Sequence, residues 1–224
     1  MARQRFVALL GASKLNGVAY ASPSGLVEPI TGLTQASAIV VGAFEELSRA
    51  EALALSDTAV GTLYEGVYQL VKMDSGASFG ANLLRGQILF WKPDANETFL
   101  VTNVEPTGVS MVAGIYIGPT GTSSKAPSAA SPYFYMQAFK DGVASVLFQA
   151  NLSNNAPAAG DSVFTAGAGA GANNATADDL GGGGTPVTLA NSANYMGRFI
   201  GVAEEAPVGG QIKKVELRGG HLRF

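Results

Sequence analysis

Apolar and polar residues alternate along several short segments of this chain, and glycines separate one segment from the next. Between residues 62 and 73, the apolar residues Leu63, Val67, Leu70 and Val71 are interrupted by polar neighbours, and we interpret this segment as a strand. Similar short apolar runs, most of them opened by a glycine, recur as far as residue 217. The pattern therefore predicts a protein built mainly from short β-strands.

One segment follows a helical period instead. Phe44, Leu47, Glu51 and Leu55 recur at intervals of three or four residues, and the segment is rich in alanine, glutamate and leucine. These residue types favour helix, so the sequence predicts one short helix near residues 44–55.

Three glycine-led blocks occur twice, in the same order. The first series covers residues 66–71, 86–90 and 114–118, and the second covers 142–147, 160–164 and 197–201. The spacings between matching blocks are 76, 74 and 83 residues, and a further strand-like stretch (133–140, 211–217) closes each series. Near-constant spacing of three blocks indicates duplication of a small unit, in which glycines allow a sheet to bend toward a barrel.

The predicted fold class is mainly β, with two related small barrel-like or sandwich β units, one short helix and an extended N-terminal arm. Residues 1–22 form the arm, 23–140 the first β unit with the helix, and 141–224 the second β unit. The second unit carries a glycine-rich insertion at 167–184, GAGAGANNATADDLGGGG. Because this composition cannot pack a core, we predict a surface loop with little regular structure.

Charge and composition exclude several classes of protein. Charged residues make up 14% of the chain and the net charge is −3, so we predict no nucleic-acid partner. No apolar run approaches the roughly 20 residues of a membrane-spanning helix, and we predict no membrane partner. There is no cysteine and therefore no disulfide framework. Residues 141–197 lack Lys and Arg but contain four Asp, whereas basic residues cluster toward both ends.

The candidate chemistry is sparse, and we predict no enzyme, no catalytic residue, no metal and no cofactor. The chain has one histidine, His221, close to its end, where a ring is seldom held in a fixed pocket. The adjacent acids at 45–46, 178–179 and 204–205 do not face each other on a strand or a helix. The glycines at 167–171 lack the Lys-Ser/Thr and the strand-to-helix context of a phosphate loop. A carboxylate-based hydrolase is only a third, remote possibility.

The blocks at 66–72, 86–91 and 114–118 resemble the small capsid decoration (cement) proteins of tailed bacteriophages. The segment 197–206, continuing through Gly209-Gly210 to 215–217, resembles them as well. The likeness covers roughly residues 60–118 and 141–218. This chain departs from the family pattern by carrying the unit twice, after an arm and a helix, and by its long glycine-rich insertion.

The resemblance implies a structural virion protein on the outer face of an icosahedral phage head, which stabilises contacts between capsomers. Its partners would be the major capsid protein and copies of itself, as a dimer or trimer. The alternative is a head-fibre or adhesion module that binds a receptor or glycan and presents aromatics such as Trp91 or Tyr133. As partner contacts in the arm we predict basic and apolar residues together: Arg3, Arg5, Phe6, Leu9 and Leu10.

Overall fold

The computed structural model describes residues 17–21, 41–56, 60–92, 99–104, 111–150, 152, 157–165, 177–179 and 199–220. These residues are mainly β, as the sequence predicts, and form two sheets with one short helix. The strands of the first sheet are β1 (Phe44–Leu47), β2 (Gly66–Met73), β3 (Ile88–Trp91), β4 (Leu100–Thr102), β5 (Val112–Ile115) and β6 (Tyr133–Ala138). Those of the second are β7 (Lys140–Leu147), β8 (Ser162–Thr165), β9 (Ala177–Asp179), β10 (Phe199–Ala203) and β11 (Ile212–Gly220).

The first sheet closes on itself as a barrel of five strands. Its order is β1-β2-β4-β3-β5-β6, and β2 also pairs with β6. The barrel is therefore closed by β2, β4, β3, β5 and β6, and β1 lies outside it. The seam between β2 and β4 is parallel and joins Lys72 to Leu100 and Met73 to Val101. Beyond this seam, β1 pairs with the remaining half of β2. The chain thus joins a parallel seam to an otherwise antiparallel barrel.

The second sheet has the order β7-β11-β10-β8-β9, and all its pairings are antiparallel. The strands of each unit can be numbered one to five along the chain, with β2–β6 in the first unit and β7–β11 in the second. In both sheets the neighbours then follow the order one, five, four, two, three. Two unrelated units would not be expected to share this order, so the topology confirms the duplication that the sequence predicts. In the described strands only the first unit forms the seam between its third and first strands.

Backbone hydrogen bonds match between the units in detail. The N–H of Gly86 donates to the carbonyl of Tyr116 at 2.8 Å, and the N–H of Gly160 donates to that of Ala203 at 2.8 Å. Both glycines have positive φ, +85° and +95°, which glycine adopts without steric cost. The repeated glycine at the start of the second strand is therefore explained by the turn that it makes.

The third repeated block was aligned wrongly from the sequence. Leu89 pairs with Gly114, and the equivalent Val163 pairs with Gly201, so Gly114 corresponds to Gly201, four residues beyond Gly197. A Cβ on Gly114 would lie 2.2 Å from the carbonyl oxygen of the neighbouring fifth strand, and one on Gly201 would lie 2.0 Å from the equivalent oxygen. Each glycine sits at a β-bulge, where only a residue without a side chain fits.

The predicted helix at 44–55 is correct only in its second half. Residues Phe44–Leu47 form β1, with exposed and buried side chains in alternation, and the helix α1 spans Arg49–Leu55. Ser48 caps the helix, because its side chain accepts from the Glu51 N–H while the Glu51 carboxylate accepts from the Ser48 N–H. The three-residue spacing of Phe44 and Leu47 resembles a helix, but pairing with β2 determines the conformation.

Three apolar clusters hold these elements together. The barrel interior contains Val71, Met73, Leu89, Trp91 and Phe134 with their neighbours, and a second cluster packs α1 and β1 onto the outer face of β2 and β6. The third cluster lies between the two units: it joins Ile88, Phe90, Val112 and Ile115 of the barrel to apolar residues of β7, β8, β10 and β11. The inner face of the second sheet is therefore covered by the outside of the barrel.

The predicted surface loop at 167–184 contains a strand, because β9 lies within it and pairs with β8 through Val163–Asp179, Phe164–Asp178 and Thr165–Ala177. β9 occupies the place that β4 has in the first unit, and the glycine-rich composition gave no sign of this three-residue strand. The remaining residues of the insertion lie outside the described part of the chain, as do residues 22–40.

Candidate interaction surfaces

The two units meet at the edge of β7, where backbone of the barrel takes the hydrogen-bonding position that β4 has in the first unit. In the first unit the Lys72 N–H donates to the Phe99 carbonyl at 3.1 Å, at the seam that closes the barrel. The equivalent N–H, that of Leu147, donates instead to the carbonyl of Gly86 at 2.8 Å. The side-chain amide of Gln137 also donates to the Val143 carbonyl at 2.6 Å. The edge of β7 is thus covered at two points by groups of the first unit, which protects it from unwanted pairing.

Buried polar groups in the barrel have a structural role. Gln87 and Asn103, both fully buried, bond each other through Asn103 Nδ2 and Gln87 Oε1 at 3.2 Å. Asn103 also bonds both backbone groups of Ser78 at 2.8 Å, and Gln87 Oε1 accepts from the Leu84 N–H at 3.1 Å. These bonds fix the segment before β3, which includes a short 3-10 turn at Gly80–Asn82.

The same turn recurs in the second unit with an acid in place of the amide. There the Ala158 N–H donates to Asp161 Oδ2 at 2.7 Å, as the Leu84 N–H donates to the Gln87 side chain. Asp161 therefore caps a turn.

Arg85 is a half-buried cation at the same end of the barrel. Its guanidinium donates to the Thr62 carbonyl at 2.9 Å and to the Ile117 carbonyl, and so ties two loops together. Burial lowers the pKa of Arg85, and burial raises the pKa of the neighbouring Tyr68 and Tyr116 hydroxyls. The Tyr68 hydroxyl donates to the Tyr64 carbonyl at 2.7 Å. This cluster is accounted for by packing and backbone contacts.

Of the adjacent acids singled out from the sequence, the side chains of Glu45, Glu46, Glu204 and Glu205 lie in the described part of the chain. On β1, Glu45 is buried and Glu46 is exposed, on opposite faces of the strand. Glu204 and Glu205 are exposed, and Glu205 accepts from the Lys214 N–H at 2.8 Å. Asp74 binds Lys92 at 2.6 Å. In the described part of the chain, no group of three or more His, Asp or Glu is placed to hold a metal ion. His221 lies outside that part.

The predicted contact residues Arg3, Arg5, Phe6, Leu9 and Leu10 lie outside the described residues. The end of the arm does not extend away from the chain's own body, contrary to expectation: the Ala19 N–H donates to the Lys125 carbonyl at 2.9 Å, and Tyr20 pairs with Tyr133. Gly17 lies so close to Gly118 that a Cβ would approach its Cα to 2.6 Å. Residues 17–21 are therefore part of the first unit.

The two aromatic residues that an adhesion module was expected to present are packed. Trp91 is 4% exposed, inside the barrel and edge-on to Phe99, and Tyr133 is half-buried against the α1 side of the barrel. Among the described residues, the most exposed large apolar side chains are Phe44 on β1, Leu53 on α1, Met111, Val208 and Ile212.

The outer face of the second sheet is a surface that sequence reasoning missed. Phe164 on β8 and Phe199 on β10 lie there, half-exposed, with ring centroids 5.4 Å apart in an edge-to-face arrangement. On β11, Lys214, Glu216 and Arg218 alternate with the buried Val215 and Leu217. The sequence match of residues 86–90 with 160–164 could have pointed to this surface, because it aligns Phe164 with Phe90.

The chain matches no protein-family model, no curated protein and no solved structure. Among the described residues, none of the helices is long and apolar enough to cross a membrane.

Proposed function

We propose that this chain is a capsid decoration protein, which binds the outer surface of an icosahedral phage head and stabilises contacts between capsomers. The observation that carries the proposal is the role of the motifs behind the resemblance. The blocks at 66–71, 86–90 and 160–164 contain the turns and strands that build both units. A decoration protein needs a stable body with an extended contact surface, and it needs no catalytic pocket.

Energetically, such a protein acts by linkage. A ligand that binds the expanded shell and not its precursor or its dissociated subunits stabilises the expanded shell in proportion to binding. Many copies act on one particle, so modest contacts in each copy suffice. The major capsid protein is the proposed partner.

A head-binding assay tests this function. The purified chain is mixed with expanded heads that lack it, from the phage that encodes it, and bound protein is measured by cosedimentation. We expect saturable binding to expanded heads, weaker binding to unexpanded precursors, and a higher temperature of head disruption. No binding to expanded heads would refute the proposal, and binding to host cells or glycans instead would support the alternative of an adhesion module.

The arm is the proposed anchor, and the structure determines where it can be cut. Because residues 17–21 pack on the barrel, a deletion of residues 2–14 leaves that contact intact. Burial of Phe6, Leu9 and Leu10 against the shell would contribute roughly 1.5–3 kcal/mol each. We expect the deletion variant to keep its melting temperature and to lose head binding.

Two further variants separate the contributions within the arm. Arg3→Gln with Arg5→Gln removes the charges, and Phe6→Ser with Leu9→Ser and Leu10→Ser removes the apolar contacts. We expect the first to weaken binding mainly at low salt and the second to weaken it at all salt concentrations. Unchanged affinity of the deletion variant would show that the arm is not the anchor.

A further inference from the structure

We draw no further inference here: the strongest candidate, the surface patch of exposed apolar side chains on β1 and α1, where Phe44 is 48% and Leu53 71% exposed, carries nothing because nothing in the part of the chain that the structure describes shows what covers it.

Discussion

The barrel and the second sheet have the same strand order and differ in closure. In the barrel, β4 returns to β2, and the interior is filled by large side chains of the same unit, among them Met73 and Trp91. In the second sheet, the residue equivalent to Trp91 is Thr165, and the place of the seam is taken by Gly86 of the barrel. The apolar groups that cover its inner face include Ile88 and Phe90 of the first unit. One copy of the fold is thus self-sufficient, and the other is completed by its neighbour.

This comparison shows how a duplicated unit becomes dependent on its twin. Once the first unit covers the inner face of the second, large interior side chains and a closed seam are no longer needed there. The contact that replaces them makes the two units one cooperative body.

The largest expected effect comes from separating the units. A fragment of residues 141–224 loses the barrel surface that covers Val146, Val163 and Leu217. We expect it to lack cooperative unfolding, measured by circular dichroism during thermal denaturation. A fragment that melts cooperatively would show that the second sheet has a sufficient core of its own.

A matched pair of truncations follows in size. Phe90→Ala removes a fully buried ring between the units and should lower the free energy of unfolding by about 3–5 kcal/mol. Phe164→Ala removes the equivalent ring from a half-exposed position and should cost about 1 kcal/mol. Urea denaturation measures both. Equal losses would contradict the assignment of the two phenylalanines to buried and half-exposed copies of one surface.

A second matched pair compares equivalent turns. Gly86 and Gly160 both have positive φ, so alanine costs about 1–2 kcal/mol of backbone strain at either position. A Cβ at Gly86 would also lie 2.8 Å from the Leu147 nitrogen, whereas a Cβ at Gly160 meets nothing within 4 Å. We expect Gly86→Ala to be more destabilising than Gly160→Ala by about 1–3 kcal/mol in urea denaturation. If the two variants are equally stable, Gly86 does not complete the second sheet.

The last prediction concerns the pH dependence of stability. Burial raises the pKa of Tyr68, Tyr116 and Tyr135, all in the first unit, above the ordinary value near 10. Their stabilising effect is complete below that value and is lost as the pH rises above it, because the unfolded chain then releases protons that the folded chain retains. Each should cost about 1.4 kcal/mol per pH unit. Denaturation followed together with tyrosinate absorbance near pH 11 checks this; flat stability there would contradict the buried positions.

The sequence was sufficient to predict the mainly β class, the strand β2 and the duplication, because alternation and glycine-led turns are local signals. It failed where long-range pairing decides the structure. Phe44 and Leu47 have helical spacing but pair with β2, and Gly201 rather than Gly197 meets the bulge because the fifth strand needs room for a carbonyl. The three residues of β9 have no strand signature, so only their pairing with β8 defines them.

The candidate surfaces were less predictable than the fold. Tryptophan is a residue type that often binds ligands, yet barrel closure places Trp91 in the interior. To place Phe164 and Phe199 on the outer face of the second sheet required both the correct repeat alignment and the knowledge that the barrel covers the inner face of that sheet. Neither can be read from one segment of the chain.

Native-state hydrogen exchange on Phe90→Ala tests the central claim most directly, because it follows both units in one molecule. If the Phe90 side chain of the barrel belongs to the core of the second sheet, the most protected amides of β11, beside Val215 and Leu217, should lose as much opening free energy as those of β2 and β6. Unchanged protection along β11, with protection lost only in the barrel, would contradict it.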